Sequence, residues 1–247
     1  PRYNASKAPE QDAAPFPIFK RPRPHGDPLP MMISTDDPAH PRRRKLVNKG
    51  FTLRRVREHE ATIRRICGSI IDRVVERGEC DFVWDIAAPL PLLLIADMLG
   101  FPPEAYEDLL EWSDDMMRGT TVNDPAAAEK AMYAGIAFRE FQLGVIADRR
   151  SKPPADDLVS ILCYAELDGE RLDDESIIQE SLLILIGGDE TSRHVITDGM
   201  LALLAHPEQR SILASDPAAI EVGVEELLRW VTPIKNMSRT ARRESAS

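Results

Sequence analysis

Two carboxylates and a hydroxyl follow a pair of glycines in the most apolar part of the chain, LLILIGGDETSRH from Leu182 to His194. The carboxyl groups of Asp189 and Glu190 can act as general acids, and the hydroxyl of Thr191 can pass a proton on. The same hydroxyl can bond back to a carbonyl of the preceding turn, which would open a helix locally. The pattern therefore predicts a helix that presents an acid and a hydroxyl to a bound group.

The residues around this motif predict a helix that is buried on all sides. It begins at a cap provided by Asp173 or Asp174 and runs towards Leu204. Gly187 and Gly188 inside it each cost about 1 kcal/mol relative to alanine, so we expect something flat or bulky to approach closely in compensation. A crossing of two helices at small residues, with the acids turned outward, explains the glycines equally well.

The composition narrows the class of protein. The chain has 247 residues, a formal net charge of −10 and 43% hydrophobic residues. The acidic balance argues against nucleic acid as a partner. Uninterrupted apolar runs stay below the roughly 18 residues of a membrane span, and no secretion signal opens the sequence, so we expect no membrane span and a cytoplasmic location. Three cysteines without CxxC spacing suggest reduced thiols rather than a metal site.

Helical patterns dominate the chain, which predicts a mainly α fold. Residues 1 to 30 contain eight of the 20 prolines and are expected to be extended or disordered. Thr52 is expected to cap a long helix that closes at Gly78, and residues 80 to 83 to form a short strand. Further helices are expected over residues 85–100, 102–117, 125–150 and 157–166, with a small hairpin around residues 167–170.

Two other spacings can carry chemistry. Asp37-Pro38 opens a helix in which His40 and Arg44 lie one turn apart, and this pair suits an anion or belongs to a solvated basic face. Glu226 and Arg229 can form an ion pair at i and i+3.

Metal, hydrolase and nucleotide chemistry are not expected. Glu190 and His194 are four residues apart, whereas the di-iron bundle motif is Glu-x-x-His. The chain also has no HExxH, GxSxG or glycine-rich phosphate motif.

The order of these motifs resembles the cytochrome P450 monooxygenases. An HxxxR helix, a GGDET helix, an ExxR helix and an extended Arg239 follow one another between about Pro28 and Arg239. The resemblance implies a partial cytochrome P450 domain over residues 28–240, an unrelated or disordered segment at 1–27 and a tail at 241–247. Six segments are similar to actinobacterial enzymes that oxidise the side chain of cholesterol or cholest-4-en-3-one, the steroid 26-monooxygenases: LPMMI, DDPAH, RRKLVN, AAPLP, LILIGGDET and the stretch from LLRW through KNM.

The resemblance also implies a role for each matching residue. Gly187 and Gly188 would let the helix pass close to a haem face, and Glu190 and Thr191 would relay protons during oxygen activation. Three basic side chains would pair with the haem propionates: His40, Arg44 and Arg239. A buried structural pair would consist of Glu226 and Arg229. The substrate pocket would be lined by Met31, Met32, Ile33, Leu185, Asp189 and Ile234.

The sequence departs from the family in one respect. The family holds its haem b iron through a cysteine in a Phe-x-x-Gly-x-His/Arg-x-Cys-x-Gly loop, and none of the contexts of Cys67, Cys80 and Cys163 matches it. We therefore interpret the chain as an internal fragment, with ends that come from truncation or a shifted reading frame.

Two functions follow from this interpretation. The parent enzyme would use O2 and electrons from a ferredoxin and its reductase to hydroxylate a terminal methyl of a steroid side chain or another small apolar substrate. The alternative is a non-catalytic helical remnant that binds an apolar ligand or haem weakly.

Overall fold

The computed structural model of the chain describes residues 31–121, 123–167 and 169–235. This part of the chain is mainly α-helical, as the sequence predicted. A 3-10 turn at Met32–Ser34 precedes α1, another at Asn48–Gly50 follows α1, and a third at Pro103–Ala105 precedes α5. The helices are α1 (Ala39–Val47), α2 (Leu53–Glu58), α3 (Glu60–Val75), α4 (Pro89–Leu99), α5 (Tyr106–Thr121), α6 (Pro125–Arg150), α7 (Leu158–Tyr164), α8 (Asp174–Ala205), α9 (Pro207–Ser215) and α10 (Pro217–Val231).

Side-chain caps fix the starts of several helices. Thr52 accepts from the backbone N–H of Arg55 and begins α2, as expected. Asp157 accepts from Ser160 N at 2.8 Å and begins α7. Asp173 accepts from the N–H of Ser176 at 2.8 Å, which decides between the two caps proposed for the central helix. A short polar residue before each apolar segment therefore marks these boundaries correctly.

Two local predictions are wrong. The helix after Thr52 is interrupted at His59, so that α2 ends at Glu58 and α3 begins at Glu60. Residues 80–83 do not form a strand, because Phe82–Ala87 is a π-helical turn. Its start is fixed by Asp81, whose carboxylate accepts from the N–H groups of Val83 and Trp84 at 3.0 and 3.1 Å. These local bonds override the strand preference of Phe and Val.

Smaller differences concern helix ends. The helix predicted to open at Pro38 begins one residue later, at Ala39. The helix predicted to reach Glu166 ends at Tyr164, since Glu166–Leu167 form β1 and pair antiparallel with β2 (Glu170–Arg171). The small hairpin predicted before the central helix is therefore confirmed.

The chain divides into two compact units, and the boundaries between them fall inside α3, α4 and α8. Among the described residues, unit 1 contains residues 31–66 and 92–186, and unit 2 contains residues 67–91 and 187–235. In unit 1, α5 and α6 pack along each other, and they share the apolar core with α4, α7 and the first part of α8. Phe101 meets the rings of Phe138 and Phe141 edge-on, with centroids 6.4 and 5.1 Å apart. The largest fully buried side chains of this core include Leu99, Leu109, Met116, Phe138, Ile146 and Ile177.

Unit 2 contains the second part of α8 together with α9 and α10. Many of its apolar side chains are exposed, which contrasts with the packed core of unit 1. They include Leu201, Leu204, Ile212, Val222, Leu228 and Trp230.

One stretch, Phe82–Leu99, has the length and composition of a membrane span, with a mean hydropathy of 1.7. It joins the π-helical turn to α4, and 44% of it is buried. A helix in the core of a protein can have the same length and composition, and the absence of a membrane span remains a prediction.

Candidate functional site

The GGDET motif lies within α8, which stays helical from Asp174 to Ala205. Thr191 Oγ1 donates to the carbonyl oxygen of Gly187 at 2.8 Å. The back-bond expected from the sequence therefore forms, but the local opening of the helix does not. A hydroxyl that adds a second donor to a carbonyl leaves the helical backbone bonds in place.

The acids of the motif are buried. Asp189 is fully buried, and Glu190 is 7% exposed. The alternative in which both acids turn outward is therefore wrong. Burying a carboxylate is costly unless charged or polar groups contact it, so these acids need specific partners.

Glu190 has two basic partners on its own helix. Its Oε1 accepts from Nη2 of Arg193, and its Oε2 lies 3.5 Å from Nε2 of His194. The guanidinium of Arg193 in turn lies 5.5 Å from the ring centroid of Trp84. Sequence reasoning missed Arg193, although its i+3 spacing from Glu190 signals the pair, and missed Trp84, which no spacing indicates.

Gly187 has the surroundings that close approach of a planar group requires. A Cβ atom built on Gly187 would meet nothing within 4 Å. The residue is exposed, and Gly188 is half-buried. The open space beside this bare helix backbone leaves room for a planar group such as haem, and the role of Gly187 and Gly188 in binding one remains a prediction.

The first predicted propionate partners lie on α1 in unit 1. His40 is half-buried and Arg44 is exposed, and their four-residue spacing on one helix places them on the same face. Arg239 lies outside the described residues. The role of all three in binding an anion remains a prediction.

The six predicted pocket residues have very different surroundings. Met31 is buried, Met32 is half-buried, and Leu185 is fully buried in the core of unit 1. Asp189 is buried on α8. Ile33 and Ile234 are more than half exposed, at 53% and 55%. Their assignment to a substrate pocket stays a prediction.

A buried ion pair in unit 1 was not predicted. Nη1 of Arg43 on α1 lies 3.0 Å from Oε1 of Glu180 on α8, and the carboxylate side chain is 1% exposed. Burial raises the pKa of Glu180, while the charge and hydrogen bond of Arg43 and a hydrogen bond from the backbone N–H of Met32 act against that shift. A glutamate among the apolar residues of a buried helix was the sequence signal of this pair.

The Glu226–Arg229 pair forms on α10, but it is exposed. Arg229 donates through Nη2 to Oε1 of Glu226 at 2.6 Å and through Nε to Oε2 at 2.7 Å. The Arg229 hydrogen bond lowers the pKa of Glu226. The expectation that the pair is buried is wrong in the described part of the chain, since the two side chains are 68% and 56% exposed.

Unit 2 also contains an apolar groove of about 640 Å³. The end of α8 and both following helices line it, with His206, Glu208 and Glu226 as its charged or titratable residues. Its apolar walls include Leu203, Ile212, Leu213, Val222, Leu227 and Trp230. Among the described residues, no group of His, Cys, Asp and Glu side chains is arranged to hold a metal ion.

Known proteins match the chain over most of its length. It is 50% identical over 220 residues to the steroid C26-monooxygenase of Mycobacterium tuberculosis (strain CDC 1551 / Oshkosh), which covers 88% of the chain and 58% of the relative. The steroid C26-monooxygenase of Mycolicibacterium smegmatis (strain ATCC 700084 / mc(2)155) is 49% identical over 219 residues, covering 88% of the chain and 54% of the relative. No family model matches.

Solved structures agree with these sequences. The crystal structure of CYP109E1 from Bacillus megaterium in complex with testosterone superposes with a TM-score of 0.75 at 30% identity, over 83% of the chain and 55% of that structure. The chain belongs to the cytochrome P450 family. It therefore has a partial cytochrome P450 fold, and it spans little more than half the length of the cytochromes P450 it matches.

Proposed function

We propose that the chain forms part of a haem-thiolate monooxygenase that hydroxylates a terminal methyl of a steroid side chain or a similar aliphatic chain. Residues 28–240 would be its partial cytochrome P450 domain. The observation that carries the proposal is the buried Glu190 beside Thr191, whose hydroxyl is held on the carbonyl of Gly187. The names of the relatives and the testosterone bound to a structural neighbour support a steroid as substrate.

The residues of this chain would bind the cofactor and manage protons. Gly187 and Gly188 would bring bare backbone against the haem face, and His40, Arg44 and Arg239 would pair with its propionates through charge-assisted bonds. When bound, haem b would supply activation of dioxygen, with an axial cysteine that we propose lies outside this chain. The three cysteines present lie in α3, before the Phe82–Ala87 turn, and in α7.

Proton transfer would run through two neighbouring side chains. Thr191 Oγ1 would release its proton from the bond to Gly187, and Glu190 would supply the next one. Arg193 and His194 contact the Glu190 carboxylate and would hold it in place on α8 next to Thr191. Asp189, with Met31, Met32, Ile33, Leu185 and Ile234, is proposed to line the substrate pocket.

Electrons would come from a ferredoxin and its reductase in the cytoplasm. A carbon monoxide difference spectrum of the reduced, haem-treated protein tests the proposal. We expect no thiolate-type Soret band from this chain and a thiolate band from the enzyme at the full length of its relatives. A thiolate band from this chain would contradict the proposal that the cysteine ligand of the iron lies outside it. A full-length protein without one would contradict the function and favour the non-catalytic remnant.

A further inference from the structure

The Arg43–Glu180 pair joins two elements of unit 1 that lie far apart in sequence. The partners are 137 residues apart, and their charged atoms are 3.0 Å apart. The side chain of Arg43 is 15% exposed and that of Glu180 is 1% exposed. Water therefore screens this interaction little, and its geometry restrains α1 against α8.

The same pair lies next to a turn of the chain that contains three of the predicted pocket residues. The turn comprises Met31 to Thr35, and we call it the Met31 turn. It is closed by bonds from Ser34 N to Met31 O at 2.8 Å and from Thr35 Oγ1 to Met32 O at 2.7 Å. The turn packs on α1, the helix that carries Arg43, and the backbone N–H of Met32 lies beside the Glu180 carboxylate. Glu180 thus contacts α1 and lies next to the turn.

Met31 extends the connection into the apolar core. It is 1% exposed and belongs to the same buried cluster as Leu182 and Leu185 of α8. Met32 is packed against that cluster. A shift of the turn would therefore move side chains assigned to the substrate pocket.

Stability alone does not explain a charged pair in this place. Apolar side chains of similar volume usually replace a buried ion pair without loss of stability, whereas removal of one partner leaves a buried charge. A charge-assisted hydrogen bond fixes the relative orientation of its donor and acceptor, whereas apolar packing does not. A turn that shapes a binding pocket requires such a fixed orientation.

We propose that Arg43 and Glu180 are positioning residues that hold the Met31 turn against α8 and thereby determine which apolar substrates the pocket accepts. The specificity part of this proposal rests on the proposed function. The positioning part concerns the described residues of unit 1 and does not depend on the cofactor.

The test compares three variants of the holoenzyme by hydrogen exchange and sterol binding. Glu180→Gln removes the charge and keeps the shape, and Arg43→Met with Glu180→Leu replaces the pair by apolar side chains. The control is Glu175→Gln. Glu175 lies on α8, like Glu180, and forms a more exposed ion pair with Arg139 of α6 at 3.0 Å, which this variant breaks. We measure amide exchange in residues 31–35 by mass spectrometry and the dissociation constant for cholest-4-en-3-one by spectral titration.

Glu180→Gln should speed exchange in the Met31 turn by about tenfold and weaken sterol binding by a similar factor, as loss of a charge-assisted bond predicts. The apolar double variant should keep the wild-type Tm and still show both changes, which excludes simple unfolding as their cause. Glu175→Gln should change neither quantity by more than about twofold.

Each other outcome is decisive. Wild-type exchange in Glu180→Gln would overturn the positioning role. Faster exchange with unchanged sterol binding and unchanged products would overturn the specificity role. A wild-type holoenzyme that binds no sterol would refute the proposed function, and the exchange data would then still decide whether the pair holds the turn.

Discussion

The hydroxyl oxygen of Thr191 lies 2.8 Å from the carbonyl oxygen of Gly187, one turn earlier in α8. The bond holds the hydroxyl on the side of the helix where Gly187 leaves the backbone bare, next in sequence to the buried Glu190. The glycine and the hydroxyl are therefore joined by one hydrogen bond, while Glu190 has its own partners in Arg193 and His194, so changes at each position should have separable effects.

Thr191→Ala should uncouple electron consumption from product formation in the full-length enzyme. Product should fall by at least about tenfold, because a positioned proton donor contributes roughly 10²- to 10⁴-fold to a rate. Hydrogen peroxide release per electron pair should rise, and both quantities can be measured in one assay with a reconstituted electron donor. Thr191→Ser keeps the hydroxyl and should stay coupled. Equal coupling in the Ala variant and the wild type would remove the proton-transfer role.

Gly187→Leu should weaken haem binding without unfolding the protein. The new side chain meets no described atom near its Cβ, and leucine is favoured over glycine in a helix by about 0.5–1 kcal/mol. Haem affinity should nevertheless fall at least about tenfold, since the side chain occupies the face proposed for the ring. Gly68→Leu in α3, where an added Cβ also meets nothing within 4 Å, is the matched control for absorbance titration and Tm. Normal haem binding by Gly187→Leu would place the cofactor elsewhere.

Gly100→Ala should destabilise unit 1 strongly. Gly100 has φ +77°, and an added Cβ would lie 2.6 Å from Asp157 and 2.8 Å from Nη2 of Arg149. Arg149 also donates to the Gly100 carbonyl and to Asp157, so the clash would disturb a connected set of bonds. We expect a loss of roughly 2–4 kcal/mol in the free energy of unfolding, from overpacking and backbone strain together.

The matched control for Gly100 is Gly78→Ala. Gly78 has φ +70°, but an added Cβ would meet nothing within 4 Å. This variant introduces backbone strain without a steric clash, and it should lower the free energy of unfolding by about 1–2 kcal/mol. Urea unfolding of the two variants separates strain from overpacking, and equal losses would show that the close approach at Gly100 is relaxed at little cost.

The stability contributed by Glu180 should depend on pH in the direction opposite to that of a surface ion pair. Burial raises the pKa of the folded carboxyl above its usual value of 4.5. Its contribution is therefore complete below the pKa of the unfolded chain and is lost as the pH rises through the folded pKa. The free energy of unfolding of the wild type, relative to Glu180→Gln, should fall over that range by about 1.4 kcal/mol per unit of pKa difference.

The stability contributed by Glu226 should change with pH in the opposite direction to that of Glu180, and Glu226→Gln tests this. The hydrogen bond from Arg229 lowers the pKa of Glu226, so its contribution is present above the unfolded pKa and is lost as the pH falls through the folded pKa. Chemical denaturation of both variants at pH values from 4 to 8 measures the two slopes. A wild-type stability that rises relative to Glu180→Gln over the same interval would contradict the assigned direction.

The helical architecture could be predicted because its signals are local. Thr52, Asp157 and Asp173 each cap a helix that the apolar pattern then continues. The break at His59 and the turn that Asp81 starts could not, because the same residues fit a continuous helix or a strand equally well. Hydrogen bonds decided the second case, because the Asp81 carboxylate accepts from the N–H groups of Val83 and Trp84, and hydrophobic periodicity does not register such bonds.

The local features of the candidate site could be predicted from the sequence, but the contacts between residues far apart in the sequence could not. The motif allowed two interpretations, with Asp189 and Glu190 either buried or turned outward, and in the structure both are buried. The Arg43–Glu180 pair depends on a contact between residues 137 positions apart, which spacing alone does not reveal. Exposure of Glu226 and Arg229 likewise depends on what packs over α10, not on their i and i+3 spacing.

The apolar groove beside Trp230 has a practical consequence for ligand assays. Fluorescent sterols, detergents and hydrophobic dyes will partition into a cleft of this size and character wherever it is open to solvent. A fluorescence titration of the isolated chain would therefore report two kinds of uptake as a single isotherm. Absorbance changes of the haem register only events beside the iron, which makes them the appropriate signal for substrate screening.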